Sequence, residues 1–515
     1  MAQNSANVKL NLFPELNPVL PHALSPTRWP GRTLDSTDTL QRLLEDNHER
    51  WHVFFNNIGF HNHISHRLLA LWALGANKEA LKAAYDFDSM PHKQRPAFSS
   101  PEKITHANFR EHLRDEKYYN AYLEFFTESI LVQKREISSV LEEFVFASQT
   151  RRTDLNAERK SGGSLQPLLQ VTFFEGLLHA LIHVGYGLEL GLPGMIIEGL
   201  AIAAVHKPAP GFEILVASSL RVLSDGDAGY ITSGLKSLSV GTRAASSLHA
   251  FTILARVMED PALEIKNIDV NDVLAFLGDN GGEKSKILRQ YADQWSLDST
   301  DSKDIERRIQ DLQWMNVLIY TVAGFQRLKS GGFRADFFLM HLVTTSLFLP
   351  SFVAYLTPSS QETLLRSYLG ISLAIYVARG RPKINPAPLF EVEMDDPILD
   401  PMLDFRPPLM KLPYSTREPN LWLPVIERAI LHPDDHLAKF QRAVAHYANL
   451  YGYTPKGYFN GGLGIELTGA EQIDGTLFAR AGALTQRRLG RDRGGQTLPS
   501  YWDFKGFYER EGGAE

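Results

Sequence analysis

Histidine is the residue type through which this chain could do chemistry. FHNHISHRLLALWALGA, residues 60–76, puts His61, His63 and His66 at the mouth of an apolar run. HALIH puts His179 and His183 one helical turn apart, and extending that stripe aligns Glu175, His179, His183 and Tyr186 on one face. FFLMHLVTTS carries His341 with Thr344 and Thr345 a turn away. On the last clear helix His436, Lys439, Ala443 and His446 fall within about 80° of arc. Polar groups aligned inside apolar helices need partners, and a metal ion or a polar cofactor satisfies several at once.

The 17 histidines are accompanied by no cysteine. Disulfides, iron–sulfur clusters and thiolate-held zinc or haem are thereby excluded, so any metal is held by nitrogen and oxygen. Imidazole-rich, thiolate-free ligation suits iron, copper, zinc or nickel rather than magnesium or calcium. Small residues at Ala70 and Ala73 continue the stripe below His63 and His66, which a helix sets about 60° apart, with His61 more than about 130° away from both. Three separate apolar helices thus carry histidine on a face, which points to a His-rich metal centre, with a hydrogen-bonded core histidine as the alternative for His341. His61 reads as a cap or a residue behind the ligands. His48/His52 and His432/His436 read as surface or loop pairs, and neither a zincin nor a ferritin-like di-iron site is expected.

The elements that must position these residues are helical. Period-2 runs are scarce, no long repeat is present, and the fold class is mainly α, a single large multi-helical domain. Residues 1–38, rich in Pro, Asn and Ser, read as an extended arm, and 39–490 as the helical catalytic domain. YYNAYLEFFTESILVQKREISSVLEEFVF keeps a 3.6 period for nearly its whole length. RKSGGSLQP, 159–167, is a candidate linker. LLQVTFFEGLLHALIHVGYGLEL and GMIIEGLAIAAV, apolar on nearly every face, predict buried helices, whereas the charged stretches from about 260 to 330 predict peripheral ones. Ten prolines between 382 and 424 make 380–433 an irregular strap, and 491–515 form a C-terminal tail. Residues 337–356 carry no formal charge and have the length of a membrane span, but His341, Thr344, Thr345, Ser346 and Pro350 make a core helix interrupted at the proline the better expectation.

Hydrophobic content of 44% with 22% charged residues fits a globular protein, and a net charge of -6 offers nothing to nucleic acid or acidic membranes. No basic-then-apolar leader opens the sequence, so a cytoplasmic, intracellular protein is expected. GxGxxG after a strand, GxxxxGK[ST] and GxSxG are all absent. No Rossmann domain and no flavin are expected. Redox chemistry then requires a metal, another kind of cofactor site, or a substrate that reacts with oxygen itself.

GFHNHISHRLLALWALGA, YLEFFTESILVQKREISSVLEEFVF, LLHALIHVGYGLELG, DFFLMHLVTTSLFLPSF, YVARGRP and HPDDHLAKFQRAVAHYA resemble, in the same order from about residue 40 to 485, the questin oxidase-like family of fungal polyketide pathways. That resemblance implies ring opening of an anthraquinone or related aromatic polyketide in secondary metabolism. Several members are labelled Baeyer–Villiger oxidases using NADPH, and iron-dependent members imply a non-haem centre of histidines and a carboxylated lysine. Carried onto this chain, the ligands are His63, His66, His179, His183 and His341, with Lys439 as the lysine and Lys383 in GRPK as its alternative. Fe(II), dioxygen as co-substrate and NADPH are the implied small molecules, and Tyr186 and Glu175 the candidate catalytic side chains. The implied substrate is a small phenolic anthraquinone stacked on aromatic side chains, oxidised beside its quinone carbonyl with carbon–carbon cleavage. Two competing readings are a flavin-independent, NADPH-requiring Baeyer–Villiger oxidase and a non-catalytic helical binding protein.

Overall fold

A computed structural model of the chain describes residues 10–57, 59–146, 169–216, 248–265, 272–326, 332–399, 420–460, 464–490, 492–493, 496–497 and 501–508. Its first helix begins where the sequence offers a cap. Thr33 Oγ1 accepts the Ser36 N–H, and Ser36 Oγ accepts the Thr33 N–H, so α1 spans Leu34–Arg50 and the arm ends five residues earlier than the sequence suggests. α2 (Ile64–Ala73) and α3 (Lys78–Asp88) pack with it. α4 (Tyr119–Thr127) and α5 (Ile137–Leu141) each run on into one π-helical turn, Glu128–Val132 and Glu142–Phe146. The nearly continuous period of this stretch does not give one helix: it is interrupted between Val132 and Ile137, where Lys134 takes a φ of +53°.

The core is built on α6 (Gln170–Phe173), α7 (Glu175–Leu190), α8 (Pro193–Val205) and α9 (Phe212–Val216). α7 stops on Gly191 at φ +71°, and Pro193 opens α8 in its first turn. The two helices cross closely because glycine lines the contact. A Cβ at Gly187 would sit 2.5 Å from Ile196 Cγ1, and one at Gly199 2.6 Å from Val184 Cγ2. Then come α10 (Ala250–Glu259), α11 (Asp279–Asp293) and α12 (Ser302–Gln326). The charged composition of this region predicts peripheral helices, yet α12 is a core helix. Its charges Arg308 and Asp311 pair at 3.1 Å, His249 reaches Asp311 at 3.1 Å, and Gln313 through Gly324 is buried throughout.

α13 (Phe337–Ser346) and α14 (Leu349–Val353) are the two halves of the uncharged segment, with Pro350 in the first turn of α14 as expected. No helix among the described residues is long and apolar enough to cross a membrane. α15 (Pro358–Ala378) leads to the proline-rich region, which carries regular structure after all: α16 (Ala387–Phe390), a 3-10 turn at Pro397–Leu399, and α17 (Trp422–Leu431) with Pro424 in its first turn, where a missing N–H costs nothing. Its middle, 400–419, and the candidate linker 159–167 lie outside the described residues. α18 (Leu437–Tyr451) and α19 (Leu477–Leu489) close the helical body. Among the described residues the one sheet is a two-residue antiparallel ladder, β1 (Asp492–Arg493) with β2 (Gln496–Thr497). Residues 501–508 dock beside α13, where Asp503 donates its N–H to Ala335 O at 2.8 Å and accepts the Phe337 N–H at 3.0 Å.

Candidate metal centre

Four elements deliver histidine to one place. α2 begins only at Ile64, so His63 is its N-cap residue and His61 lies before it in an extended bridge to Phe54. The helical geometry applied to residues 61–66 therefore does not hold, although all three imidazoles are gathered there. In α7 the turn Gly176–Leu178 is left-handed, at φ +56°, +54° and +67°. It takes Glu175 off the predicted stripe and aims the Gly176 carbonyl at His179 Nδ1, which donates to it. The Glu175 carboxylate accepts the N–H groups of Ala209 at 2.7 Å and Gly176 at 3.3 Å instead, and burial pushes its pKa up to about 7. α13 contributes His341. α18 is capped by Asp434 Oδ1, which accepts the N–H of both His436 and Leu437 at 2.9 Å. That cap presents Asp435 and His436 to the N-terminus of α2.

The imidazoles of His179, His63, His436 and His341 form a closed ring. Consecutive centroids lie 4.8, 4.5 and 5.0 Å apart, and 5.4 Å separates His341 from His179. Each Nδ1 is tied down. His63 donates to Asp435 Oδ2 at 2.6 Å, His436 to Asp435 Oδ1 at 2.7 Å, His341 to Phe337 O at 2.8 Å, and His179 to Gly176 O. With its single proton on Nδ1, each ring keeps one lone pair, on Nε2. Among the described residues the Nε2 atoms of His341 and His436 are buried without a partner, while those of His63 and His179 face each other at 2.6 Å.

Two lone pairs at that distance repel, and no placement of one proton per ring removes the conflict. Moving a proton to either Nε2 would turn a bare Nδ1 toward an oxygen that cannot donate. Nor does an extra proton resolve it. Burial, reinforced by Lys439 against the opposing pull of Asp435, takes His63 down to about 3, and burial with the neighbouring imidazoles takes His179 well below its usual range. A cation between the rings resolves it. Imidazoles at about 2.1 Å from one ion place their centroids about 4.6–5.3 Å apart for right-angle to tetrahedral geometry, and the observed edges agree within a few tenths of an ångström. Ligand atoms of His63, Asp435 and His436 also lie within 4.8 Å of one another. Both Asp435 oxygens are already taken by Nδ1–H groups, so this carboxylate orients two imidazoles from behind. Although burial opposes it, His436 and His63 hold Asp435 well below the carboxylate range.

The other expected ligands form a second chain. His66 Nε2 meets His183 Nδ1 at 2.7 Å, His183 Nε2 meets Glu198 Oε2 at 2.6 Å, and His48 Nδ1 meets Glu198 Oε1 at 2.6 Å. Burial opposes ionisation of Glu198, but the hydrogen bonds from His183 and His48 outweigh it and hold the pKa at about 2. His48 is thus no surface residue. HERWH, 48–52, does spell the HExxH of zincins, but α1 ends at Arg50 and His52 turns away to stack on Phe98 at 4.8 Å. His436 likewise leaves the surface pair assigned to it, whereas His432 holds the Asp434 N–H at 3.1 Å and stays outside the centre. His61 lies flat against His179 at 4.0 Å. Lys439 follows His436 by one turn, is buried, and has its pKa lowered by that burial against Asp435, Asp434 and Asp88. Lys383, its alternative, is exposed. Tyr186 stacks 5.5 Å from His66, with Arg442 5.6 Å over its ring and the buried Glu189 paired to that arginine. Toward solvent, Phe337 edges onto His341 and His436 at 4.6 and 5.0 Å, and Phe504, 44% exposed, stacks on it at 4.6 Å.

Asp435 and Glu198 are residues that sequence reasoning missed, and His436 reads in the sequence as a surface or loop histidine rather than a member of the ring. Glu198 had a signal, as the one charge in an otherwise apolar helix; Asp435, in the HPDDHL loop, resembled an ordinary cap.

The model of the questin oxidase-like family matches residues 60–444, which includes every member of the imidazole ring. The chain belongs to the questin oxidase-like family. It is similar to a Baeyer–Villiger oxidase of Pestalotiopsis fici, 28% identical over 79% of this chain and 80% of that one. A questin oxidase of Aspergillus fumigatus is 26% identical over 79% and 80% of the two chains. An oxidoreductase of Aspergillus parasiticus is 27% identical over 82% and 76%. Membership in this family of oxidases makes the chain an oxidoreductase.

Proposed function

We propose that this questin oxidase-like protein uses dioxygen to open a ring of an anthraquinone or related aromatic polyketide in fungal secondary metabolism, at a mononuclear non-haem iron centre. The observation that carries this reading is the pair of Nε2 lone pairs on His63 and His179, 2.6 Å apart and flanked by the unpartnered Nε2 atoms of His341 and His436. These four imidazoles would hold Fe(II), which supplies one-electron chemistry to dioxygen that a closed-shell aromatic lacks.

The protein's own groups do the rest. Asp435, Gly176 O and Phe337 O fix the orientation of the four rings. The buried Lys439 is the carboxylate source: its neutral amine adds carbon dioxide, forming an N–C bond and releasing one proton, and so brings an anion to a site otherwise lined by neutral imidazoles. Phe504, stacked on Phe337 and 44% exposed, offers a flat apolar face on the solvent side, where one end of a polycyclic substrate stacks. Tyr186, held by Arg442, and Glu175, protonated up to about pH 7, lie farther from the ring and line its surroundings.

Elemental analysis of the purified protein tests the centre. About one iron per chain is expected, with loss in His179→Ala and His436→Ala and a smaller loss in His183→Ala, whose nitrogens are engaged elsewhere. Metal-free protein that still converts substrate, or full activity in His179→Ala, overturns the iron reading. The relatives named Baeyer–Villiger oxidases favour a second reading, NADPH-dependent oxygen insertion without flavin. Product formation strictly proportional to NADPH consumed would select it.

A further inference from the structure

His66 Nδ1 is a buried nitrogen with no hydrogen-bond partner among the described residues, beside the ring but outside it. Its ring lies 6.0 Å from His63 and 6.1 Å from His179. Which of its nitrogens carries the proton is set at a distance. Glu198 is a carboxylate and can only accept, so His183 Nε2 donates to it at 2.6 Å. A singly protonated His183 then presents a lone pair from Nδ1 to His66 Nε2, 2.7 Å away. Only a proton on His66 Nε2 makes that contact attractive. His66 Nδ1 is therefore an acceptor, and unlike the conflict between His63 and His179, this pair needs no cation.

The hydrogen-bond directions also say what the chain is not. His48 and His183 both donate into Glu198, so the sequence of contacts converges on the carboxylate and cannot pass a proton through to the surface. What it delivers to the interior is a neutral acceptor of fixed tautomer. Burial, with His183 and Lys439 adding to it, keeps His66 far below its usual pKa. It accepts a hydrogen bond without taking the proton.

An unsatisfied buried acceptor beside the reaction centre calls for a donor. Resting on the aromatic-polyketide reading above, we propose that His66 Nδ1 accepts a hydrogen bond from a phenolic hydroxyl of the substrate, and that His183 and Glu198 are positioning residues that keep it an acceptor. The substrate is thereby required to carry a free hydroxyl, and an O-methylated one is rejected because the acceptor stays unpaired and the methyl group is forced against it.

The test is anaerobic binding of 2-hydroxyanthraquinone and 2-methoxyanthraquinone to the purified full-length chain. The 2-hydroxyl is chosen because it is not tied to the quinone carbonyl. A preference of about ten-fold for the hydroxyl compound is expected. His66→Phe should abolish the preference, and His66→Asn, whose Oδ1 can take the place of Nδ1, should restore part of it. His183→Phe should reduce it, because nothing then holds the proton on His66 Nε2. A merely structural role would change both affinities together and leave their ratio unmoved. Equal binding of the two probes by the unaltered protein, or a ratio undiminished in His66→Phe or His183→Phe, overturns the proposal. Binding of neither probe overturns the substrate reading with it, while absence of iron with the ratio intact overturns only the iron centre.

Discussion

Asp435 is one carboxylate serving two imidazoles. Each oxygen accepts one Nδ1–H, from His63 at 2.6 Å and from His436 at 2.7 Å, which fixes both Nε2 lone pairs on the same side. An amide cannot do this, since it offers one acceptor and one donor, and one of the two imidazoles would face an N–H. Asp435→Asn is therefore expected to lower metal affinity by about 10- to 100-fold with the fold retained. Competition against a chromophoric chelator measures it, and unchanged affinity would remove Asp435 from its role behind the ligands.

At the scale of elements, the left-handed turn that opens α7 decides where His179 points. Leu177 and Leu178 occupy a region that costs a residue with a Cβ about 1–3 kcal/mol each, and helix periodicity through Glu175 gives no hint of it. The turn is held by tight packing under two imidazoles. A Cβ at Gly176 would sit 2.3 Å from His206 Nε2 and 2.8 Å from His61 Cε1. Gly176→Ala should therefore destabilise by about 1–3 kcal/mol and, by moving the carbonyl that orients His179, reduce the iron held by the proposed centre as well. Calorimetry and iron content on the same preparation check both. Wild-type values for both would mean that the turn does not position the ligand.

For the whole molecule, the burial of so much imidazole has a consequence for acid stability. Burial lowers His52 and His446 to about 4 and His63 to about 3, and takes His61, His66, His179 and His341 well below 6.5. As pH falls through 6.5, the unfolded chain binds protons at these seven positions that the folded chain refuses. Stability then declines by about 1.4 kcal/mol per proton per pH unit. Glu175, raised to about 7, and Asp88, raised to about 6, work the other way and offset two of the seven. The remainder amounts to several kcal/mol within one pH unit, comparable to the whole stability of a typical protein. Melting temperature should drop steeply between pH 6.5 and 5, more so with metal bound, because protons compete for the same nitrogens. A flat profile across that range would contradict this account.

Composition and periodicity alone determined a helical, thiolate-free protein with histidine on the inner faces of apolar helices, because burial and turn period are local properties of a chain. The break at Pro350 was legible for the same reason. The identity of the centre was not. His63 and Asp435 are 372 residues apart in sequence, and His436 reads as a loop histidine until α18 brings its capped N-terminus against α2. His66 and His183 each stand about one turn beyond His63 and His179, yet one pair shares a proton and the other is left with two facing lone pairs. Which nitrogen is tied to which oxygen depends on neighbours from distant segments, and only the tertiary structure supplies them.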